Sequence, residues 1–242
     1  MHKGFIDLHS HWVAGIDDGA KTAQESLEML NGLAEVGFGT VVATPHMRTG
    51  MFDNSRADLE RAYQQTLQQL ESHDSLPELQ LSCEHHLDDL VFRALMAGQG
   101  LPYSGGKAAL IEFPYDHFPL KHTQRLFELR CKRIRPVLAH PERYRPVWKN
   151  IEVLDPILDG GTVLLLDLGA LIGAHGRGPK KCAHQLVEEG YYYAACSDAH
   201  RPKDALAAAR GIERLYQLLG DEEAEFLLVQ GPRNILEGSV ED

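Results

Sequence analysis

The chain has 242 residues, a formal net charge of −11, 43% hydrophobic and 24% charged residues, a size and make-up that suit one globular domain over residues 1–242. The acidic balance argues against a nucleic-acid partner, whose affinity comes mainly from Lys and Arg neutralising phosphates. No apolar run could span a bilayer and no secretory signal is visible, while Cys83, Cys131, Cys182 and Cys196 lack any C-x-x-C spacing; a cytoplasmic chain with no membrane insertion, disulfide framework or zinc ribbon is expected.

The first predicted strand, residues 5–8, runs straight into His9-Ser10-His11. Thr22 and Glu25 then form a capping box, and Leu27, Leu30 and Ala34 recur at helical spacing. A second strand, 40–45, leads to His46, followed by a helix from about Ser55 to Ser72 carrying Leu59, Tyr63, Leu67 and Leu70. A third, 79–83, leads to Glu84 and a helix near 87–97; a fourth, 108–111, leads to Glu112 and a helix near 120–132. A fifth, 134–139, ends at His140, with a helix near 149–159, and a sixth, 162–166, precedes a glycine-rich stretch and a helix near 179–189. The seventh, 191–197, ends at Asp198-Ala199-His200; a helix at 203–219, a short one at 222–230 and a fraying end complete the chain. Cys83 and Cys196 fall in predicted strands as buried thiols.

Strands alternating with helices give seven βα units, the pattern of a parallel sheet or barrel. Residues at the carboxyl ends of barrel strands converge on one rim, where active sites form. His9 and His11 share a face because strand side chains alternate, as do Asp198 and His200. Asp7 has the same parity and is expected to orient an imidazole. Glu84 and Glu112 end apolar runs, where an unpaired carboxylate is costly; His46 and His140 sit beside prolines. Singly, each fits ordinary packing. Together, imidazoles and carboxylates with no thiolate describe a polynuclear site for hard or borderline divalent cations.

Six segments carry a resemblance: residues 6–11 (Ile-Asp-Leu-His-Ser-His), 15–19 (Gly-Ile-Asp-Asp-Gly), 43–46 (Ala-Thr-Pro-His), 109–113 (Ala-Leu-Ile-Glu-Phe), 138–144 (Leu-Ala-His-Pro-Glu-Arg-Tyr) and 197–200 (Ser-Asp-Ala-His). In order and spacing the chain resembles the polymerase-and-histidinol-phosphatase (PHP) superfamily. Within it the chain is similar to the CpsB/CapC-type manganese-dependent protein-tyrosine phosphatases of bacterial capsule and exopolysaccharide systems. The resemblance implies an α/β fold, a distorted (β/α)7 barrel with its active site at the carboxyl ends of the strands, and three divalent ions. These are expected to be Mn, though Fe or Zn would also suit the ligands. It implies His9, His11, Glu84 and Asp198 on the first metal, Glu84 bridging to a second held also by Glu112 and His140, and Asp18, His46 and His200 on the third, with Asp17 as the fallback for Asp18. Arg143 would bind the substrate phosphate. The three ions would outweigh the carboxylates of Asp18, Glu84, Glu112 and Asp198 by about two positive charges.

The implied activity is hydrolysis of phosphotyrosine in a protein, expected to be the tail of a tyrosine kinase controlling polysaccharide synthesis. Rival readings are a PHP phosphoesterase acting on a small phosphate monoester or nucleotide, and a catalytically silent PHP binding or regulatory module. Arg48, Phe52, Tyr115 and Phe118 are candidates for a rim that holds an aromatic ring. His85 and His86 are expected to be solvated, as are His2, His73 and His184 and a helix start at Lys180 and Lys181; His117, His122 and His175 fall in or beside loops. The sequence departs from the family at 166–170 (Leu-Asp-Leu-Gly-Ala), a more hydroxyl-rich segment in the resemblance, which leaves the role of the 166–178 stretch open. A second phosphate-binding arginine also has no clear match: Arg201 is near, but position 205 is Ala.

Overall fold

Among the described residues nine parallel strands form the frame: β1 (Phe5–Ser10), β2 (Phe38–Ala43), β3 (His46–Met47), β4 (Glu78–Leu81), β5 (Glu84–His86), β6 (Ala108–Glu112), β7 (Arg135–Ala139), β8 (Val163–Asp167) and β9 (Tyr192–Cys196). The structure, a computed structural model, describes residues 4–70 and 76–241. The seven expected strands become nine because the second and third are each interrupted, at residues 44–45 and 82–83, just before His46 and Glu84. The two halves then pair in different sheets, β1-β2-β4 and β3-β5-β6-β7-β8-β9. Among the described residues no strand ladder joins β1 to β9. The seam is made by an isolated parallel bridge between Ser10 and Ala199, with His11 N donating to Ala199 O (2.8 Å) and Asp198 N to His9 O (2.9 Å). The expected seven-unit barrel-like α/β architecture is present, distorted into these two sheets.

Alternation along the strands divides the core in two. Leu110, Val137, Ala139, Leu165, Ala194 and Cys196 belong to one apolar cluster, while their neighbours Ala109, Leu138, Leu164 and Ala195 belong to another that also includes helix residues such as Leu126, Leu186 and Leu215. Both faces of β6, β7, β8 and β9 are thus covered, which is why these strands read as apolar runs. Leu164, Leu165 and Leu166 are each 0% exposed, and a buried Leu contributes roughly 1.5–3 kcal/mol.

The helices follow the sequence closely at Ala23–Val36, Arg56–Leu70, Asp89–Met96, His122–Cys131, Arg177–Glu188 and Asp204–Leu219. Thr22 caps the first, accepting from Glu25 N at 3.2 Å. Two expectations change. The helix near 149–159 breaks into short turns, Arg145–Lys149, Ile151–Leu154 and Asp155–Asp159, with Pro146 and Pro156 each starting a helical segment. The chain stays helical beyond residue 230: Gly231–Glu237 is a helix, and Ile235 and Leu236 bury themselves in the interior strand cluster. Cys196 lies in β9 and is buried, as expected; Cys83 is buried but lies just past β4. Among the described residues no helix is long and apolar enough to cross a membrane. His2 and His73 lie outside the described residues.

Candidate metal centre

Glu84, the first residue of β5, faces four imidazoles. Its Oε1 lies 3.0 Å from His140 Nε2 and 3.4 Å from His9 Nε2, and its Oε2 lies 2.9 Å from His46 Nδ1 and 3.5 Å from His11 Nε2. A carboxylate so deeply buried would ordinarily hold a proton, but the charges of His9 and His46 and the His140 contact keep its pKa well below the ordinary value. Around it the donors gather in four overlapping groups, each within 4.8 Å: His9 with His11 and Glu84; His9 with His140 and Asp198; His46 with Glu84 and Glu112; and His11 with Asp18, His46 and His200. All nine residues expected from the sequence therefore meet at one rim.

Strand-end backbone aims them. His140 and Asp198 both adopt positive φ, 34° and 44°, a conformation costly for a residue with a Cβ. Each turns the chain sharply off its strand. After His140 a tight turn, Pro141–Arg143, brings Arg143 back over Asp198. Asp198 Oδ1 is 3.1 Å from His9 Nε2 and 3.4 Å from His11 Nε2, and its Oδ2 pairs with Arg143. His200 sends its ring elsewhere, stacking on His11 at 4.0 Å between centroids. Asp198 and His200 therefore serve different donor groups, although their spacing matches that of His9 and His11.

The imidazoles are oriented by residues the sequence did not single out for the purpose. His9 Nδ1 lies 2.5 Å from Thr44 Oγ1, in the break between β2 and β3. His11 Nδ1 lies 2.7 Å from Asp17 Oδ2, and Asp17 also accepts from Gly19 N (2.8 Å) and His46 N (3.1 Å). Asp17 is thus an orienting carboxylate, and Asp18, its side chain half-exposed, is the member of the donor group. Asp7, expected to hold an imidazole, instead accepts from Ser197 N (2.9 Å) and Ser197 Oγ (2.5 Å), tying β1 to the segment after β9. Its carboxyl is pushed up to about 6 by burial. Gly19 fits because the turn folds onto β1, where an added Cβ would lie 2.0 Å from His11 O.

His85 and His86 are buried, contrary to the solvated positions expected. His85 Nδ1 meets Leu110 O at 2.9 Å while its Nε2 accepts from Leu101 N at 3.0 Å, and burial lowers its pKa to about 4, so it is a neutral core residue. His86 Nδ1 reaches Glu112 Oε2 at 2.9 Å. Both follow Glu84 on a short strand covered on each face, a tertiary fact with no local signal.

Arg143 pairs through one guanidinium nitrogen with both Asp198 and Asp167, the last residue of β8. Beneath it Glu142 is buried, accepting from Asp167 N at 2.9 Å and from the Tyr192 hydroxyl at 2.8 Å; burial and the neighbouring Asp167 charge push its carboxyl up to about 8. Tyr144 donates to Ala139 O (2.8 Å) and accepts from Phe113 N (3.1 Å), locking the ends of β6 and β7 together.

The expected rim separates into different environments. Phe52 lies parallel to the His46 ring, 5.2 Å away and 4° from coplanar orientation, so its face supports a histidine. Arg48 and Phe52 pair backbone to backbone at 3.0 and 2.8 Å. Tyr115 is exposed, its ring 6.0 Å from His140. Phe118 packs edge-on against Phe113 and Tyr144, partly buried, and leaves the rim. His122 starts a helix with its Nδ1 2.9 Å from Pro119 O, His117 is exposed beside Asp116, and His175 contacts Asp167. Half-buried His184 contacts Leu171 O at 3.0 Å, so it is not a free surface residue, whereas Lys180 and Lys181 are exposed as expected. Arg201 is committed to the backbone: its Nη1 donates to Asp18 O (2.5 Å), Gly19 O (2.6 Å) and His200 O (2.8 Å). It therefore braces two loops.

The donor set fits divalent cations. His9 Nε2, His11 Nε2, His140 Nδ1 and Asp198 Oδ1 are buried without a hydrogen-bond partner, although buried polar atoms are nearly always satisfied. Two donors sharing one ion at about 2.1 Å stand about 3.0–3.4 Å apart, close to the 3.0–3.5 Å contacts around Glu84.

The family model for capsular polysaccharide synthesis, CpsB/CapC, matches residues 5–237. The tyrosine-protein phosphatase YwqE of Bacillus subtilis is 33% identical over 198 residues, covering 82% of this chain and 78% of that protein. The tyrosine-protein phosphatase CpsB of Streptococcus agalactiae serotype V is 27% identical over 241 residues, covering 96% and 98%. A crystal structure from work on YwqE of B. subtilis and CpsB of Streptococcus pneumoniae, described as unique metal-dependent tyrosine phosphatases, superposes with a TM-score of 0.88 at 30% identity, covering 96% of this chain and 94% of that one. The chain belongs to the CpsB/CapC family.

Proposed function

We propose that, as a member of the CpsB/CapC family, this chain is a metal-dependent phosphatase that hydrolyses phosphotyrosine in proteins. The observation that carries the reading is the meeting of Glu84 with four imidazoles beside an arginine. His9, His11, Glu84 and Asp198 would hold one ion, Glu84, Glu112 and His140 a second, and Asp18, His46 and His200 a third. Manganese is the ion we assign, because imidazole and carboxylate donors without thiolate suit it. Bound cations would supply Lewis-acid charge to the phosphoryl oxygens and acidify a water at neutral pH.

The protein's own groups do the rest. Arg143 presents a planar fork to two phosphoryl oxygens, with Asp167 and Asp198 fixing its plane. Asp17 and Thr44 hold the rings of His11 and His9 so that each Nε2 faces the centre. Tyr115, exposed beside His140, would meet the peptide that carries the phosphotyrosine, while Phe52 supports His46 from the loop it shares with Arg48. The macromolecular substrate we assign is the tail of a tyrosine kinase governing capsule or exopolysaccharide synthesis, met in the cytoplasm by a single catalytic domain.

The test is metal removal with a phosphatase panel. Chelation should abolish hydrolysis of p-nitrophenyl phosphate and of phosphotyrosyl peptides, and Mn²⁺ should restore both. Full activity in metal-free protein would overturn the reading. Activity confined to histidinol phosphate or a nucleotide would reassign the chain to small-molecule substrates.

A further inference from the structure

His175, on the rim after β8, has no part in the chemistry described so far, and Asp167 beside it serves there only to hold Arg143. Asp167 caps the helix Leu168–Ile172, accepting from Gly169 N at 2.8 Å, while its other oxygen touches His175 and Arg143. His175 stands between Gly173 and Gly176, both in left-handed conformation (φ 86° and 97°), in a link fastened by Ala174 N donating to Gly169 O at 3.0 Å. Its Nε2 is 2.5 Å from Asp167 Oδ2 and 3.0 Å from Arg143 Nη2. A hydrogen bond to that carboxylate oxygen forms when the proton is on Nε2, which leaves Nδ1 to serve another group. The arrangement is that of a carboxylate fixing the tautomer of an acid–base histidine.

We propose that His175 is the proton donor to the leaving group, positioned by Asp167. The inference rests on the phosphatase reading above. Its geometry is a gradient of exposure: the Asp198 and Asp167 side chains are 2% and 1% exposed, Arg143 12% and His175 36%. In-line displacement places the attacking water and the leaving group on opposite sides of phosphorus. Water held among the buried imidazoles and carboxylates therefore drives the leaving oxygen outward, past Arg143, into a cavity of about 380 Å³ lined by Arg143, Asp167, His175, Asp198 and His200. Tyr115 is not among the residues that line this cavity. In the step, the bond from phosphorus to the aryl oxygen breaks and its electron pair stays on that oxygen, which takes the proton of His175 Nδ1. The water oxygen bonds to phosphorus, a proton of that water passes to solvent, and His175 regains one from solvent.

Proton donation matters most when the leaving oxygen is basic. His175→Gln and His175→Ala, prepared as metal-loaded full-length protein, are compared with the parent on phenyl phosphate, a phosphotyrosyl peptide and p-nitrophenyl phosphate, whose phenol is much more acidic. The expected result is a fall in kcat/KM of roughly 100-fold or more on the first two, under about 10-fold on the third, and unchanged metal content in both variants. An equal loss on all three substrates, no loss on any, or loss of metal would overturn the assignment. A parent protein inactive on every aryl phosphate would instead remove the phosphatase reading, and this inference with it.

Discussion

Asp198 divides its two oxygens between different tasks: Oδ2 pairs with Arg143, while Oδ1 stands 3.1 Å from His9 and 3.4 Å from His11. The same carboxylate therefore joins the phosphate fork to the donor cluster. Arg143 itself contacts Asp167, Asp198 and, outside that cluster, the ring of His175. Arg143→Ala should leave the metals in place and remove transition-state stabilisation worth about 2–4 kcal/mol, roughly a 30- to 1000-fold loss in kcat/KM. Metal analysis beside kinetics checks it. Unchanged activity would reject the phosphate role, and loss of metal would make Arg143 a structural brace for Asp198.

The parallel stacking of Phe52 on His46 gives a different expectation for the loop after β3. A ring placed to grip substrate would change KM on truncation; a ring that supports a ligand should change metal retention. Phe52→Ala should weaken metal binding about 3- to 10-fold, as the loss of an aromatic contact of about 0.5–1.5 kcal/mol implies, with KM for phenyl phosphate held when metal is in excess. Chelator competition measures the first quantity and steady-state kinetics the second. A raised KM with normal metal retention would return Phe52 to the rim.

The donors were legible in the sequence for a physical reason. A buried strand of a parallel sheet reads as an apolar run, so a histidine or carboxylate at its end stands out, as His9, Glu112 and His140 do. What orients them was not legible. Thr44 and Asp17 reach His9 and His11 across strand and loop boundaries, and nothing in the spacing of Ser10 and Thr44 announces that their strands pair. His86 looked solvated because burial by neighbouring strands leaves no mark on its own segment. The carbonyl partners of Arg201 were equally hidden, since they lie near residue 18 and residue 200, brought together by the seam between β1 and β9.

Gly19 tests how tightly that seam is packed. An added methyl would lie 2.0 Å from His11 O and 2.5 Å from His11 Cβ, so backbone must move, at a cost of typically 1–3 kcal/mol. The movement displaces Asp17, which holds His11 and the backbone of His46. Gly19→Ala should fold with a lowered Tm and lose metal from the His11, Asp18, His46, His200 group first. Full metal content at unchanged Tm would show that the turn is free to shift.

Protons and cations compete for the same donors, which gives a signed pH dependence. In chelated protein, burial opposes the charge on His11 and His46. The Asp17 carboxylate nevertheless holds His11 near 10, and Glu84 with Asp18 pushes His46 up to about 12. A histidine whose folded pKa is raised contributes stability that is complete below about 6.5 and is lost as pH rises through the folded value. Chelated protein should therefore lose Tm between about pH 7 and 10, and Mn²⁺ should restore progressively more of it across that window. Metal uptake at pH 7 should release protons. Calorimetry in buffers of different ionisation enthalpy reads the release directly; a Tm of chelated protein that rises over this window would contradict the assignment.

Recognition of a protein is the hardest part of the function to isolate, because a phenolate leaves more readily than an alkoxide. Faster turnover of phosphotyrosine than phosphoserine would follow from chemistry alone. Comparing a phosphotyrosyl peptide with phenyl phosphate removes that advantage, since the leaving groups are alike. Tyr115 is exposed, with its ring 6.0 Å from His140, and it stands where a peptide entering the centre would pass. The peptide should be the better substrate in kcat/KM, and Tyr115→Ala should narrow the gap by roughly 3- to 10-fold, as expected for one aromatic contact, while leaving phenyl phosphate little changed. Equal efficiency on the two substrates would mean that the mouth recognises the aryl phosphate and nothing beyond it. An equal loss on both in Tyr115→Ala would instead put its ring against the phenyl group of the substrate.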